Sequence, residues 1–313
     1  MKIVYFGSPQ FATSSLASLV AAGHEICTVI TQADRRRGRS KSALPTPVAA
    51  YASESGLTVW KPEKLRDADV VRELASLEAD AFVIVAYGKF LPDDVLALPR
   101  LGVLNLHPSL IPKHRGPSPV ATAILEGDEW TGLTIMLLDS GMDTGPVLAQ
   151  TAPQPITGRD TQETLTERLF EIGSALLPKT LDAYANGEIA PTPQNDSQAT
   201  ITRLLKREDG RIDWNMPAIE IHRQVRAFDP WPGTSTTWSG QNLKVISALI
   251  GPDDPLAPGE VRRGSGAIYV GTGAGQLEVQ ELQLEGKARM GADAFLSGNS
   301  DIDGVVLGHE IPR

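Results

Sequence analysis

One cysteine, Cys27, occurs in 313 residues. That excludes an internal disulfide, and neither a Cys-x-x-Cys pair nor a His-Glu-x-x-His run offers a zinc site, so no metal is expected. Long apolar runs are also missing: the longest, ADAFVIVAYG at residues 79–88, is about half the length of a membrane-spanning helix. The first ten residues, MKIVYFGSPQ, hold four consecutive apolar residues after the lysine, too few for a signal sequence. A cytoplasmic protein with no membrane partner is expected, and a monomer. Positive charge is scarce as well. A net charge of −9 argues against a general cationic field of the kind that coats nucleic acid. Two glycine signatures are absent. FGSPQFA, after the first apolar run, has one glycine where a dinucleotide fingerprint needs three, and no Gly-x-Ser-x-Gly elbow offers a serine nucleophile.

What is present is an alternation of element types. KIVYF, EICTVIT, LTVW, DAFVIVAYG and GVLNLH are short β-branched or apolar runs, and TGLTIMLLD and GPVLAQTAP follow them. Between them lie helical patterns at residues 10–22, 46–55, 67–78 and 117–126, then a long one at 160–186. Apolar strands separated by helices predict an α/β domain: a Rossmann-like, mostly parallel sheet with helices on both faces. GEIAPTPQNDSQAT has two prolines and no apolar period, so it reads as a linker. The predicted domains are residues 1–189, a linker at 190–206, and 207–313. The last holds one helix near 216–227 and the short β-rich runs TSTTW, LKVISALI, GEVRR, AIYVGT and QLEVQELQL, which fit a smaller β-rich barrel or sandwich.

Charge is uneven along the chain. Arg35, Arg36, Arg37, Arg39 and Lys41 fall within eight residues, DRRRGRSK, and without these five the chain carries −14. Residues 207–313 have ten cations and fifteen acids. A cationic arm at 34–41 is therefore a local anion-binding feature on an acidic protein, where an ordinary charge run would be solvated surface.

The densest polar cluster is NLHPSLIPKHRG, residues 105–116. Asn105 and His107 are two apart in a predicted strand, so their side chains share one face. Pro108 and Pro112 keep the following chain out of helix, and Ser109, Arg115 and Gly116 are expected to be exposed on this turn. Asp143, in LLDSGMDTGPVL, is expected on a tight turn at the same edge of the sheet, where an Asx turn is its ordinary role. An amide, an imidazole and a carboxylate on neighbouring strand ends make a plausible acyl-transfer site without a covalent nucleophile.

FGSPQFA, NLHPSLIPKHRGPSP and LLDSGMDTGPVL together resemble the three signatures of the formyltetrahydrofolate-dependent formyl transferases. TQADRRRGRSK, LPTPV and VRAFDPWPG resemble the members whose acceptor is methionyl initiator tRNA. The resemblance spans nearly the whole chain. It implies a Rossmann-like formyltransferase core followed by an OB-like tRNA-binding domain, with 10-formyltetrahydrofolate as the formyl donor and no metal. It assigns catalysis to Asn105, His107 and Asp143. His107 is implied either as an oxyanion donor or as a proton shuttle. Folate is placed against Ala86, Tyr87 and Gly88, against Ser109, Leu110, Ile111 and Pro112, and against Leu138, Asp139 and Gly141. Initiator tRNA is assigned to Arg35, Arg36, Arg37, Arg39 and Lys41; because the second domain is acidic, its own contact is expected from a patch of Lys206 and Arg207 at the linker with Arg262 and Arg263 on a barrel turn. The alternatives are a formyltransferase acting on a small amine, and a tRNA- or folate-binding module without turnover.

Overall fold

Strand β1, Lys2–Gly7, is apolar from Ile3 to Phe6 because it is covered on both sides. Ile3 and Tyr5 pack with Leu16 and Leu19 of α1 (Thr13–Ala21), whereas Val4 and Phe6 pack with Leu74 of α3 (Ala68–Ser76) on the opposite face. Each such side chain contributes about 1.5–3 kcal/mol on leaving water. The computed structural model describes residues 1–36 and 43–308. Within them the chain divides into two compact units, one of Met1–Pro119, Trp130–Pro155 and Thr166–Thr202, the other of Val120–Glu129, Ile156–Leu165 and the chain from Arg203 onward.

The sheet of the first unit adds β2 (Glu25–Ile30), β3 (Val59–Trp60), β4 (Ala81–Val85), β5 (Val103–His107), β6 (Thr134–Leu137) and β7 (Val147–Gln150), in the order β7-β6-β5-β4-β1-β2-β3. Strands β1 to β5 pair in parallel, and β6 and β7 join antiparallel. The mostly parallel sheet expected from the alternation is thus present. Helices α1, α2 (Pro47–Glu54) and α6 (Gln162–Ala185) supply one face, α3 and α4 (Asp93–Leu96) the other, and α5 (Pro119–Glu126) follows β5 in the chain. Local chemistry sets their ends. Helix α2 has Pro47 at its first position and Thr46 as N-cap, whose hydroxyl accepts the Ala49 N–H at 3.1 Å. The chain leaves β1 towards one side and β4 towards the other, so the carboxyl ends of the central strands open a crevice of the kind in which such sheets bind ligands.

Within the segment 190–206 expected as a linker, residues up to Thr202 belong to the first unit and run along it as extended chain interrupted by a 3-10 turn at Asp196–Gln198. Thr192 pairs with Val147 and Ile201 with Arg115. The second unit is an antiparallel sheet of β8 (Thr234–Trp238), β9 (Gln241–Ile250), β10 (Val261–Arg263), β11 (Ile268–Gly271) and β12 (Gln276–Leu284) in the order β8-β9-β12-β11-β10, with β13 (Met290–Gly291) also on β12. Helices α7 (Ala218–Ala227) and α8 (Ala292–Gly298) cover it through Ile221, Val225, Phe295 and Leu296. Among the described residues, no helix is long and apolar enough to cross a membrane.

Candidate active site

Strand β5 carries Asn105 and His107 on the face opposite Leu104 and Leu106, which point into the core with α1 and α6. His107 ends the strand and is 4% exposed. Its Nε2 lies 2.9 Å from the carbonyl oxygen of His114, at the far end of the turn that follows. A carbonyl only accepts, so the ring carries its proton on Nε2. Nδ1 then faces Oδ2 of Asp143 at 3.5 Å. Burial lowers the pKa of His107 below its ordinary 6.5, which the neighbouring Asp143 and the His114 carbonyl only partly offset. In its neutral form, the ring presents an Nδ1 lone pair beside a carboxyl group. The side-chain amide of Asn105 makes no hydrogen bond among the described residues.

Asp143 sits on a turn with φ of 54°, in the left-handed region that a non-glycine residue holds only when its surroundings determine it. Those surroundings are specific. The Gly116 N–H donates to Asp143 Oδ2 at 2.8 Å, tying the 143 turn to the end of the 108–116 turn. Gln194 Nε2 donates to the carbonyl oxygens of Asp143 at 2.8 Å and Gly145 at 2.6 Å. Gln194 Oε1 accepts from Arg115 Nε at 2.8 Å, and Arg115 Nη2 donates to Asp196 at 2.7 Å. Arg115, Ser109 and Gly116, expected to be exposed, are buried instead: Arg115 is 5% exposed and Ser109 1%. The reason is this network, which satisfies the guanidinium internally, together with the bond from the Ser109 hydroxyl to the Lys113 carbonyl at 2.7 Å.

The residues assigned to folate fall into three groups. Ala86 and Gly88 are exposed at the carboxyl end of β4, both with positive φ, but the Tyr87 ring turns into the core against Phe6 at 5.5 Å. The Tyr87 hydroxyl is buried without a hydrogen-bond partner among the described residues, and burial pushes its pKa up to about 12. In the 109–112 turn, Ile111 N–H donates to Thr134 Oγ1 at 3.1 Å and the Ile111 carbonyl accepts from Gln150 at 2.8 Å, while Leu110 and Pro112 are half-buried. Leu138 is half-buried. Asp139 and Gly141 are exposed, and the Asp139 carboxylate accepts from Gly141 N–H at 3.0 Å and Thr144 hydroxyl at 2.7 Å.

Of the cations assigned to tRNA, Arg37, Arg39 and Lys41 lie outside the described residues. Arg35–Arg36 is a two-residue strand paired with Ala43–Leu44. In the second unit Lys206 and Arg207 are exposed, and the Lys206 backbone N–H donates to Asp209 at 2.7 Å. Arg262 is ion-paired with Asp254 and lies 5.6 Å over the ring of Tyr269, whereas Arg263 is exposed.

Residues 1–181 match the family described as formyl transferase, and residues 204–300 match the formyl transferase C-terminal domain. The methionyl-tRNA formyltransferase of Chloroflexus aurantiacus is 50% identical over 302 residues, covering 95% of this chain and 97% of that protein. The methionyl-tRNA formyltransferase of Roseiflexus castenholzii is 47% identical over 312 residues, covering 98% and 99%. This chain belongs to the methionyl-tRNA formyltransferase family. Among solved structures, HypX from Aquifex aeolicus in complex with tetrahydrofolic acid matches with a TM-score of 0.68 at 19% identity over 96% of this chain, which spans 47% of HypX. An N-formyltransferase from Helicobacter canadensis, in complex with folinic acid and dTDP-3-aminofucose, matches with a TM-score of 0.66 at 19% identity over 89% of this chain and 98% of its own. At that identity the two structures speak for the fold alone.

In this methionyl-tRNA formyltransferase family member, the polar groups that build the site include four that sequence reading passed over or misplaced: Arg115, Thr134, Gln150 and Gln194. For Thr134 and Gln150 the only sequence signal is a polar residue in or beside an apolar run, and Arg115 stands in the polar, proline-bearing turn PKHRGPSP. Gln194 lies in PTPQND, whose composition resembles a linker.

Proposed function

We propose that the protein transfers the formyl group of 10-formyltetrahydrofolate to the α-amino group of methionyl initiator tRNA, for translation initiation. The observation that carries this is the approach of His107 Nδ1 to Asp143 at 3.5 Å on the strand face of Asn105, in a chain half identical to a methionyl-tRNA formyltransferase. The donor is a substrate and no metal takes part. The amine attacks the formyl carbon directly, a bond to the amine nitrogen forms, the bond to folate N10 breaks, and one proton passes from the amine to N10. A free α-amino group titrates at about 7.7–8.0, so roughly a tenth to a sixth of it is already neutral at pH 7 and little activation is needed. The larger barrier is the negative oxygen of the tetrahedral intermediate.

Asn105 donates its amide to that oxygen. One such fixed donor is typically worth about 100- to 1000-fold in turnover. For His107 the geometry favours proton transfer over oxyanion donation, because Nε2 is committed to the His114 carbonyl and the neutral Nδ1 can only accept. Two acceptors, Nδ1 and the Asp143 carboxyl, side by side attract an N–H donor, stabilise positive charge on the attacking nitrogen, and pass its proton on. The exposed backbone at Ala86 and Gly88 and the half-buried Leu110, Pro112 and Leu138 supply the apolar edge that a flat donor ring prefers.

In the same reading, residues 1–189 are the catalytic domain, 190–206 the connection and 207–313 an OB-like domain. Initiator tRNA is held by Arg35, Arg36, Arg37, Arg39 and Lys41 with Lys206 and Arg207. The enzyme acts as a cytoplasmic monomer. The test is to supply 10-formyltetrahydrofolate with either charged initiator tRNA or a nucleotide-linked amino sugar. Formylmethionyl-tRNA as the product supports the proposal, and a formylated sugar with unmodified tRNA contradicts it.

A further inference from the structure

We infer that Gln194 and Arg115 are a positioning pair for the proton-transfer step, acting on Asp143 through its backbone. The inference rests on the proposed function above only in what Asp143 does, and the geometry stands apart from it. Asp143 is held in a left-handed conformation on a turn whose own local bonds run from the Gly141 N–H and the Thr144 hydroxyl to the Asp139 carboxylate and leave the 143 and 145 carbonyls to other partners. What faces the 143–145 peptide groups is Gln194. Its amide nitrogen donates to both carbonyls, at 2.8 and 2.6 Å, so that both of its N–H groups are directed at the turn. An amide that uses both hydrogens this way needs its oxygen fixed, and Arg115 Nε does that at 2.8 Å.

Arg115 is anchored in turn. Its N–H donates to the Thr200 carbonyl at 2.9 Å, its carbonyl accepts from Thr202 N–H at 2.7 Å, and its guanidinium reaches Asp196. The neighbouring Gly116 N–H holds Asp143 Oδ2. Arg115 and Gly116 therefore grip Asp143 twice, from the carboxyl side directly and from the backbone side through Gln194. A carboxyl group 3.5 Å from Nδ1 loses its influence if the turn relaxes by about 1 Å, and misplacements of that size can cost about 100-fold in rate. Neither residue touches the reacting atoms in this account. They fix where the proton acceptor stands.

Two variants separate the side chain's shape from its donors. Gln194→Glu keeps the shape but sets an oxygen against the Asp143 and Gly145 carbonyls. Gln194→Leu removes both donors and the acceptor for Arg115. The first readout is the His107 ring titration by NMR on the free protein, which needs no substrate. Asp143 raises the His107 pKa, so displacement of the turn shifts that titration to lower pH in Gln194→Leu, which adds no charge, whereas Gln194→Glu brings a carboxylate that acts the other way and is read by turnover. The second readout is turnover, with kcat expected to fall by about 100-fold and KM for donor and acceptor little changed. Arg115→Lys, which keeps the charge but loses the planar fork, reproduces both effects more weakly. A wild-type His107 titration in a folded Gln194→Leu protein, or wild-type kcat in either Gln194 variant, overturns the inference. Should Gln194→Leu not fold, the His107 titration of Arg115→Lys, which keeps the charge, and the kcat of Gln194→Glu decide it. Absence of formyl transfer by the wild-type protein would overturn the proposed function instead, and would leave the NMR titration as a complete test of the pair.

Discussion

The imidazole of His107 is fixed by the carbonyl oxygen of His114, 2.9 Å from Nε2 and seven residues along the chain. The turn that forms this bond is the proline-bearing one between them, so the stiffness of residues 108–116 sets the tautomer of His107. A turn free to collapse into helix would leave the choice of nitrogen open.

The pH profile follows from that bond. Burial lowers the pKa of His107 below 6.5, and only the neutral ring can accept a proton. As pH falls, kcat/KM should decline first as the acceptor amine protonates near about 7.7–8.0, and then through a second, steeper limb below 6.5 as His107 protonates. Formyl-transfer rates measured from pH 5 to 8 check this, and the absence of a second limb below 6.5 contradicts it.

Gly145 should not tolerate a side chain. A Cβ there would collide with the carbonyl oxygen of Leu137 and lie 3.3 Å from the Asp139 nitrogen, both backbone atoms that cannot rotate away. Gly145→Ala should lower stability by about 1–3 kcal/mol and disturb the Asp143 turn. A thermal melt together with an activity assay tests both, and an unchanged Tm would show that the loop yields freely.

His222 in the second unit gives a stability prediction. It is 7% exposed, and burial followed by the charges of Arg226 and Arg223 brings its pKa down to about 4. Its folded-state pKa lies below the unfolded value of 6.5, so the unfolded chain binds more protons between those limits. The stability that neutral His222 supplies is complete above 6.5 and is lost as pH falls towards 4. From pH 7 to 5 this comes to about 2 kcal/mol. In His222→Phe, the difference between urea midpoints at pH 7 and pH 5 should shrink relative to wild type. An equal difference in the two proteins would remove His222 from the pH dependence.

The cationic arm gives a salt prediction. Neutralising Arg39 and Lys41 together should weaken binding of charged tRNA and reduce the slope of log affinity against log salt by about 2, with donor binding unchanged. Filter binding across a salt series measures it. An unaltered slope would take these two cations out of the interface.

Much of the first fold was legible because its strands are covered on both faces. Ala81 to Val85 and Ile3 to Phe6 leave no polar alternation to misread, and Gly23 and Pro45 mark helix limits by their backbone chemistry. The shared face of Asn105 and His107 was legible too, since it follows from a period of two. What escaped were long-range polar pairs. Nothing local says that Gln194 meets Asp143, 51 positions away, or that Arg115 is buried, because a cation on a turn is ordinarily solvated and only its partners at 194 and 196 make burial tolerable. Tyr87 shows the converse. It stands beside a ligand-facing turn, yet Ala86, at positive φ, breaks the alternation of β4 and turns the ring into the core on the side of Phe82 and Ile84.

Single-turnover formyl transfer by Asp143→Asn tests the central claim most directly. The substitution keeps the shape and an oxygen for Gly116 N–H but removes the charge beside His107 Nδ1. The rate should fall by about 100- to 10000-fold, the range of general acid–base contributions, and the acid limb should move to lower pH. A rate within a few-fold of wild type, with its pH profile unmoved, would contradict the account.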